Sequence, residues 1–515
     1  MTAQTRQPGR WLGLAAMTVS FLVLGLDITI LITALPTLSA KLNATTDQLQ
    51  WMSAAYTLSL AGFMLPAGVL GDRYGRKRLL LIGLATFGIS SVVASQMTTA
   101  GGLILMRAVM GLSGAIVMPL IQSILPSMFA EDERQRAIGI SGAGAFVGLP
   151  LGPLLSGWLL THYPWGSIFL INAPVVVIAV IGIWFFVPES KDPNPKRLDW
   201  IGALFEVSGV TGLVYGIIEE PIRGWTDIQV AGPIIGGFVL ILAFVARQLR
   251  TRSPLIDLNL FKNRSFSLGT VAFVVVGFAM TGVMFVLTPY LQVVQGNDAQ
   301  GTGLRLLPLI GSMIVGAATS DRVNALIGRK LTVSLGFVGN AVGMFLLSRV
   351  TSDTGYGYVA LGLGVMGISI AFAMIPSLDA ILGALPAAET GAGSALTRAI
   401  QNVAASFGVA IMGSILNSAY QSHLAPNLAG LPPAAESAAR SSVAVAAAVA
   451  GHLPGPLGYR LFGSAADAYS LAMGDVLLVT AGVTMACAVT MAILLPSRAS
   501  RARETAESMG AEPAA

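Results

Sequence analysis

The chain is poor in charge. Asp, Glu, Lys and Arg together make up 11% of its 515 residues, against roughly a quarter in soluble globular domains. That scarcity excludes a water-facing skin for a folded domain of this length and fits a protein whose outer solvent is lipid. Cysteine is almost missing. One residue, Cys487, excludes an internal disulfide framework and a cysteine metal cluster. Three histidines and no GxxxxGK[ST], HExxH or GxSxG signature leave no basis for a nucleotide-driven pump, a zinc protease or a serine hydrolase. We therefore expect no catalytic residue, no metal and no cofactor. The formal charge of +5 comes from basic residues scattered through short loops, so nucleic acid finds no basic domain.

What is present is apolar length. Hydrophobic residues make up 54% of the chain, and residues 79–106 and 137–188 contain no Asp, Glu, Lys or Arg. The second stretch holds two spans of about 20 residues, with a break around His162, Tyr163 and Pro164. Such unbroken runs exclude the alternation of barrel strands, which leaves helices. Windows of about 20 residues place spans near 14–36, 50–70, 79–97, 102–126, 137–160, 166–187, 198–218, 229–248, 265–291, 303–320, 331–349, 357–382, 394–417 and 471–495. The run at 12–36 is too long for a signal-peptide core and reads as a retained first span.

Fourteen spans put both termini on one side. With the N-terminus inside, cytoplasmic segments hold 23 of the 30 Lys and Arg residues and outer segments six, which predicts cytoplasmic termini. A weak internal repeat supports two halves: GVLGDRYGRKR follows span two, and SDRVNALIGRK follows span ten. The expected organisation is a six-helix bundle at 1–187, a linker with two further spans at 188–264, and a second bundle at 265–495. The second bundle carries a long outer segment at 418–470, whose Ala-rich part forms a surface helix or stays mobile. A polar cytoplasmic tail occupies 496–515. Six-plus-six repeats about a central site are a transporter plan.

Four segments carry the mechanism. LDITILITALP (26–36) sets Asp27 in the middle of an apolar helix, where an ionised carboxylate costs about 2.5–3.5 kcal/mol and usually serves a cavity or a proton; a packing hydrogen bond is the alternative. GVLGDRYGRK (68–77) combines Gly68 and Gly75, for close packing and a tight turn, with Asp72 and the inside-holding Arg73, Arg76 and Lys77. LILMRAVMGLSGA (103–115) buries Arg107, a permanent charge that needs a carboxylate, carbonyls or water, with Asp27 a plausible partner. GLPLGPLLSG (148–157) places Gly144, Gly148 and Gly152 on one helix face for a close crossing, followed by Pro153 and Gly157; prolines at 150 and 153 predict a kink.

These segments resemble the major facilitator superfamily, and within it the fourteen-span drug:proton antiporters. Three further stretches add to the resemblance: PWGSIFLINAP (164–174), PLIDLNLFKNRSF (254–266) and PYLQVVQGNDAQGTGLRLLPL (289–309). It implies a major facilitator fold in a cytoplasmic membrane, proton coupling through Asp27 and Arg107, and a loop at 68–77 that latches the halves in the outward-facing state. It also implies export through the 148–157 motif. The sequence departs from the family pattern at Ile32, Met110, Ser156 and Gly166. Glu219, Glu220 and Asp379 are weaker candidates for substrate or proton sites. The expected function is proton-coupled efflux of small amphipathic or cationic drug-like compounds by a monomer that meets lipid, substrate and protons. The alternatives are a dedicated exporter of an endogenous lipid, siderophore or secondary metabolite, or an importer driven by the same gradient.

Overall fold

The computed structural model describes residues 9–129, 131–192, 199–251, 254–255, 258–383, 390–428, 431–453 and 455–495. Its α-helices in chain order are α1 (Arg10–Leu42), α2 (Thr46–Tyr74), α3 (Arg76–Ala94), α4 (Ala100–Met128), α5 (Glu131–His162), α6 (Ser167–Leu170), α7 (Asn172–Phe186), α8 (Trp200–Arg223) and α9 (Ile228–Arg250). They continue as α10 (Arg264–Pro289), α11 (Ala299–Arg305), α12 (Leu307–Ile327), α13 (Arg329–Leu347), α14 (Tyr356–Leu382), α15 (Thr390–Leu424), α16 (Pro433–Ser441), α17 (Val443–Ala450) and α18 (Gly455–Leu494). Among the described residues thirteen helical segments are long and apolar enough to cross a bilayer. The 32-residue α5 is long enough for a fourteenth, at about 1.5 Å of rise per residue.

Local chemistry sets the boundaries. Asn43 ends α1 in the left-handed region at φ 49°, a conformation that Asn tolerates better than most residues. Two residues later Thr45 and Gln48 close a capping box that starts α2. Asp199, Asp227, Asn263 and Asp298 each accept backbone N–H groups at the starts of α8, α9, α10 and α11. The sixth span breaks into α6 and α7. The last span begins at Gly455, well before the expected 471, and the Ala-rich outer segment forms the short helices α16 and α17. The repeat is visible in the backbone: Gly75 between α2 and α3 and Gly328 between α12 and α13 both take positive φ, at 114° and 82°.

In the first half α1 packs on α5 and α7, α2 on α4, and α3 on α4 and α7. In the second, α14 packs on α12 and α13, α15 on α10, and α18 on α13 and α15. The halves meet where α2 lies along α15 and where α5 meets α11. The pair α8–α9 lies over the α2–α15 seam through α8, and α9 turns Ile235, Phe238, Val239 and Leu242 outward, as a lipid-facing helix should.

Joints between the halves cluster toward the side that the charge count assigns as outer. Gln292 donates to the Thr33 carbonyl at 2.5 Å, and Gln50 donates to the Ala410 carbonyl at 3.1 Å. A Cβ on Gly157 would stand 2.6 Å from the Ala299 carbonyl oxygen, so the outer ends of α5 and α11 touch backbone to backbone. The helices α16 and α17 bridge the same face: Ser442 and Ser39 hydroxyls lie 3.0 Å apart, Thr46 donates to the Ser441 carbonyl at 2.8 Å, and Tyr420 donates to the Ala439 carbonyl. This conformation is closed on the outer side.

Candidate functional site

Asp27 sits midway along α1 with no exposed surface, and Arg107 on α4 is 1% exposed. Their side chains form an ion pair, Arg107 Nη1 to Asp27 Oδ2, at 2.5 Å. Neither charge stands alone in its other contacts. Asn172 on α7 donates from Nδ2 to Asp27 Oδ1 at 3.1 Å and to Ser91 Oγ at 3.0 Å, while Ser91 donates to the Phe169 carbonyl. Arg107 donates from Nε to the Met52 carbonyl at 3.2 Å. Its guanidinium lies 4.3 Å from the centre of the Tyr56 ring, a cation–π stack that adds about 2 kcal/mol when water is excluded. A low-dielectric interior makes each of these contacts strong and makes losing one costly.

Glycine lets these helices approach. On α4, a Cβ at Gly111 would meet the Tyr56 backbone, with the Tyr56 Cα at 2.9 Å. On α5, the stripe 144, 148 and 152 lies on α1: a Cβ at Gly148 would stand 2.8 Å from Leu26 N, and one at Gly152 2.9 Å from Ile30 N. The two glycines therefore grip α1 on either side of Asp27. Pro153 lies within an α5 that runs on to His162, and its carbonyl oxygen packs against Gly303 of α11. The same helix that positions Asp27 thus reaches the other half.

In this conformation the loop at 68–77 is bonded within its own half. Asp72 accepts Arg76 Nε at 2.8 Å, and its carbonyl accepts Asp192 N. Glu189 accepts Lys77 N and Arg78 N at 3.0 and 3.2 Å, capping the start of α3. Arg76 N donates to the Ser190 carbonyl, and Lys77 Nζ to that of Trp184. Arg73 is exposed and stands over the Tyr74 ring. These bonds tie the loop to the 184–192 segment of its own half. The close approach expected at Gly68 falls instead at Gly71, where a Cβ would meet Leu120; at Gly68 the nearest atom, on Pro119, lies an ordinary 3.8 Å away. Replacing Glu189 by Ala is expected to cost about 1 kcal/mol of stability, the usual worth of a cap. A melting temperature unchanged by that substitution would contradict the capping role.

The weaker candidates lie elsewhere. Glu219 pairs with Arg223 at 2.9 Å near the outer end of α8, and Glu220 beside it is half-buried. Asp379 is exposed near the inner end of α14, in the other half from Asp27. The sequence reading missed Asn172, Ser91 and Tyr56. The one available signal for Asn172 was an amide inside a charge-free run; Tyr56 and Ser91 look like ordinary span residues until the helices are packed.

The profile described as Major Facilitator Superfamily matches residues 17–409. The tetracenomycin C resistance and export protein of Streptomyces glaucescens is 31% identical over 79% of this chain and 76% of its own length. The multidrug efflux pump LfrA of Mycolicibacterium smegmatis is 31% identical over 95% of this chain and 97% of its own, and the methyl viologen resistance protein SmvA of Salmonella typhimurium 30% over 89% and 93%. Among solved structures, a bacterial homolog of the human lysosomal transporter Spinster superposes with a TM-score of 0.70 at 15% identity, over 94% of this chain and 97% of that one. A D-xylose–proton symporter does so with 0.60 at 14%, over 95% and 98%. At these identities the superpositions speak for the fold.

Proposed function

From the premise that this chain belongs to the major facilitator superfamily, we infer that it is a multi-pass transporter of the cytoplasmic membrane that exports small amphipathic or cationic drugs in exchange for protons. Full-length similarity to drug-efflux and drug-resistance transporters supports the export of drugs. The observation that carries proton coupling is the buried Asp27–Arg107 pair inside the first half. Protonating Asp27 removes the charge that Arg107 faces, so the pair breaks when water delivers a proton and re-forms when the proton leaves. Because α5 holds α1 around Asp27 and touches α11 at its outer end, a rearrangement of the pair has a mechanical route to the outer joint. The chain works as a monomer and uses no cofactor. A proton crossing 100 mV supplies about 2.3 kcal/mol, enough for a gradient of about 50-fold per proton exchanged.

Proteoliposomes with an imposed pH gradient test the coupling. The wild type is expected to drive dye movement with counterflow of protons, whereas Asp27→Asn, reconstituted as folded protein, moves dye only down its own gradient. Gradient-driven accumulation by that variant would remove Asp27 from the proton path. A second reading, export of one secondary metabolite, is favoured by the tetracenomycin C relative. Transport of a single compound from a broad panel would select it.

A further inference from the structure

Three carboxylate residues are buried among the described residues: Asp27, Asp199 and Glu206. Asp27 faces Arg107, and Asp199 pairs with Arg247 at 2.8 Å. Among the described residues Glu206 forms no ion pair; it is 8% exposed, and its Oε2 is buried without a hydrogen-bond partner. An ionised carboxylate so placed costs several kcal/mol unless a positive charge reaches it.

Its place in the fold says where that charge comes from. Glu206 lies six residues into α8, roughly 9 Å along the helix from the end assigned as inner. It belongs to the buried stripe Ala203, Glu206, Val210 and Val214. The last two pack with Ala54 and Leu58 of α2 and Ala410 of α15, so the stripe faces the line where the halves meet. The neighbouring Phe205 joins an apolar cluster with Leu65, Phe244, Phe273 and Ile400. No titratable side chain stands on the α2 face toward α8, which is Trp51, Ala54, Leu58, Gly62 and Leu65. On α9 the nearest charge is Arg247, already held by Asp199. The titratable residue on the inner half of α15 is Arg398, whose side chain lies outside the described residues.

We propose that Glu206 is a second charge-receiving site, on the lateral seam between the halves, that takes one positive charge from outside the chain: a proton, or the cationic head of an amphipathic substrate whose apolar body lies among the neighbouring Phe and Leu side chains. It is separate from Asp27, whose charge is already met within its own half. The seam that covers it is where α2 and α15 must part as the halves rock, and that motion exposes and re-buries the carboxylate.

The proposal rests on the efflux reading, and the test separates the two. Full-length protein in lipid vesicles is given tetraphenylphosphonium as the cationic probe and chloramphenicol as the neutral one. Glu206→Gln keeps the shape and removes the charge, and Glu206→Asp keeps the charge. A tenfold or greater loss of tetraphenylphosphonium transport in Glu206→Gln, with chloramphenicol within twofold and recovery in Glu206→Asp, supports the substrate's cation as the ligand. Unchanged cation transport with one fewer proton exchanged per cation supports the proton. Wild-type rates and proton counts in Glu206→Gln overturn the proposal and leave efflux standing, and so does an equal loss of stability and transport in both variants, which marks a packing role. A wild type that moves neither probe overturns the efflux reading and this site with it.

Discussion

Arg107→Leu is expected to cost about 3–5 kcal/mol of stability and to abolish coupled transport. The cost follows from what remains: Asp27, without exposed surface, would keep only the amide of Asn172 at 3.1 Å, and removing one partner of a buried pair leaves an uncompensated charge. Asp27→Leu should cost a similar amount, because Arg107 cannot shed its proton and would keep the Met52 carbonyl and the Tyr56 ring. The decisive measurement is the double variant. With both charges gone no uncompensated charge stays buried, Asn172 keeps its bond to Ser91, and apolar replacement of a buried pair is often neutral. The double variant should therefore melt within about 1 kcal/mol of the wild type while remaining uncoupled. Costs that simply add, measured by denaturation in one detergent, would mean that the two side chains do not depend on each other, and the switch assigned to them would fall.

Gly148→Val should be the most damaging substitution outside the ion pair. A Cβ at 148 would stand 2.8 Å from Leu26 N and would also meet the Leu22 carbonyl oxygen and the Gly25 carbonyl carbon. All three are backbone atoms of α1, so no side chain can turn aside, and α1 and α5 must separate. Overpacking of this kind costs typically 1–3 kcal/mol; against a rigid helix backbone the upper part of that range, about 3 kcal/mol, is expected. The functional loss should exceed the loss of folded protein, because the contact lies beside Asp27. Gly232→Val is the control: its Cβ meets only the Ile228 side chain, at 4.0 Å, and should leave melting and transport unchanged. Equal behaviour of the two variants would show that small residues in α5 do not set the crossing.

The resemblance had tied the glycines of 148–157 to export. The packing of α5 adds a mechanical role to that association. Gly148 and Gly152 hold the acidic segment of α1, and Gly157 and Pro153 touch α11 across the seam. One helix thus carries both the grip on α1 around Asp27 and the joint to the second half. The loop at 68–77 is bonded to the 184–192 segment here, and the outer face is the closed one. A loop that latches the halves in the opposite conformation has no partner to find across the seam while the outer joint is made.

Composition alone determined that this is a helical membrane protein, since too little charge and long apolar runs leave no other way to satisfy the backbone. Apolar windows of about 20 residues placed the spans, and Asp27 and Arg107 announced themselves because charge inside a span is costly. What only the tertiary structure decided is partnership. Asn172, Ser91 and Tyr56 are unremarkable in sequence, and their role depends on which faces of α3, α7 and α2 turn inward. Glu206 is also a charge inside a span, so its cost was legible in the sequence although the spacing of motifs does not single it out; its isolation is a fact about the faces of α2 and α15. Burial and pairing depend on contacts between residues far apart in the chain, and a one-dimensional pattern carries the cost of a charge without naming its partner.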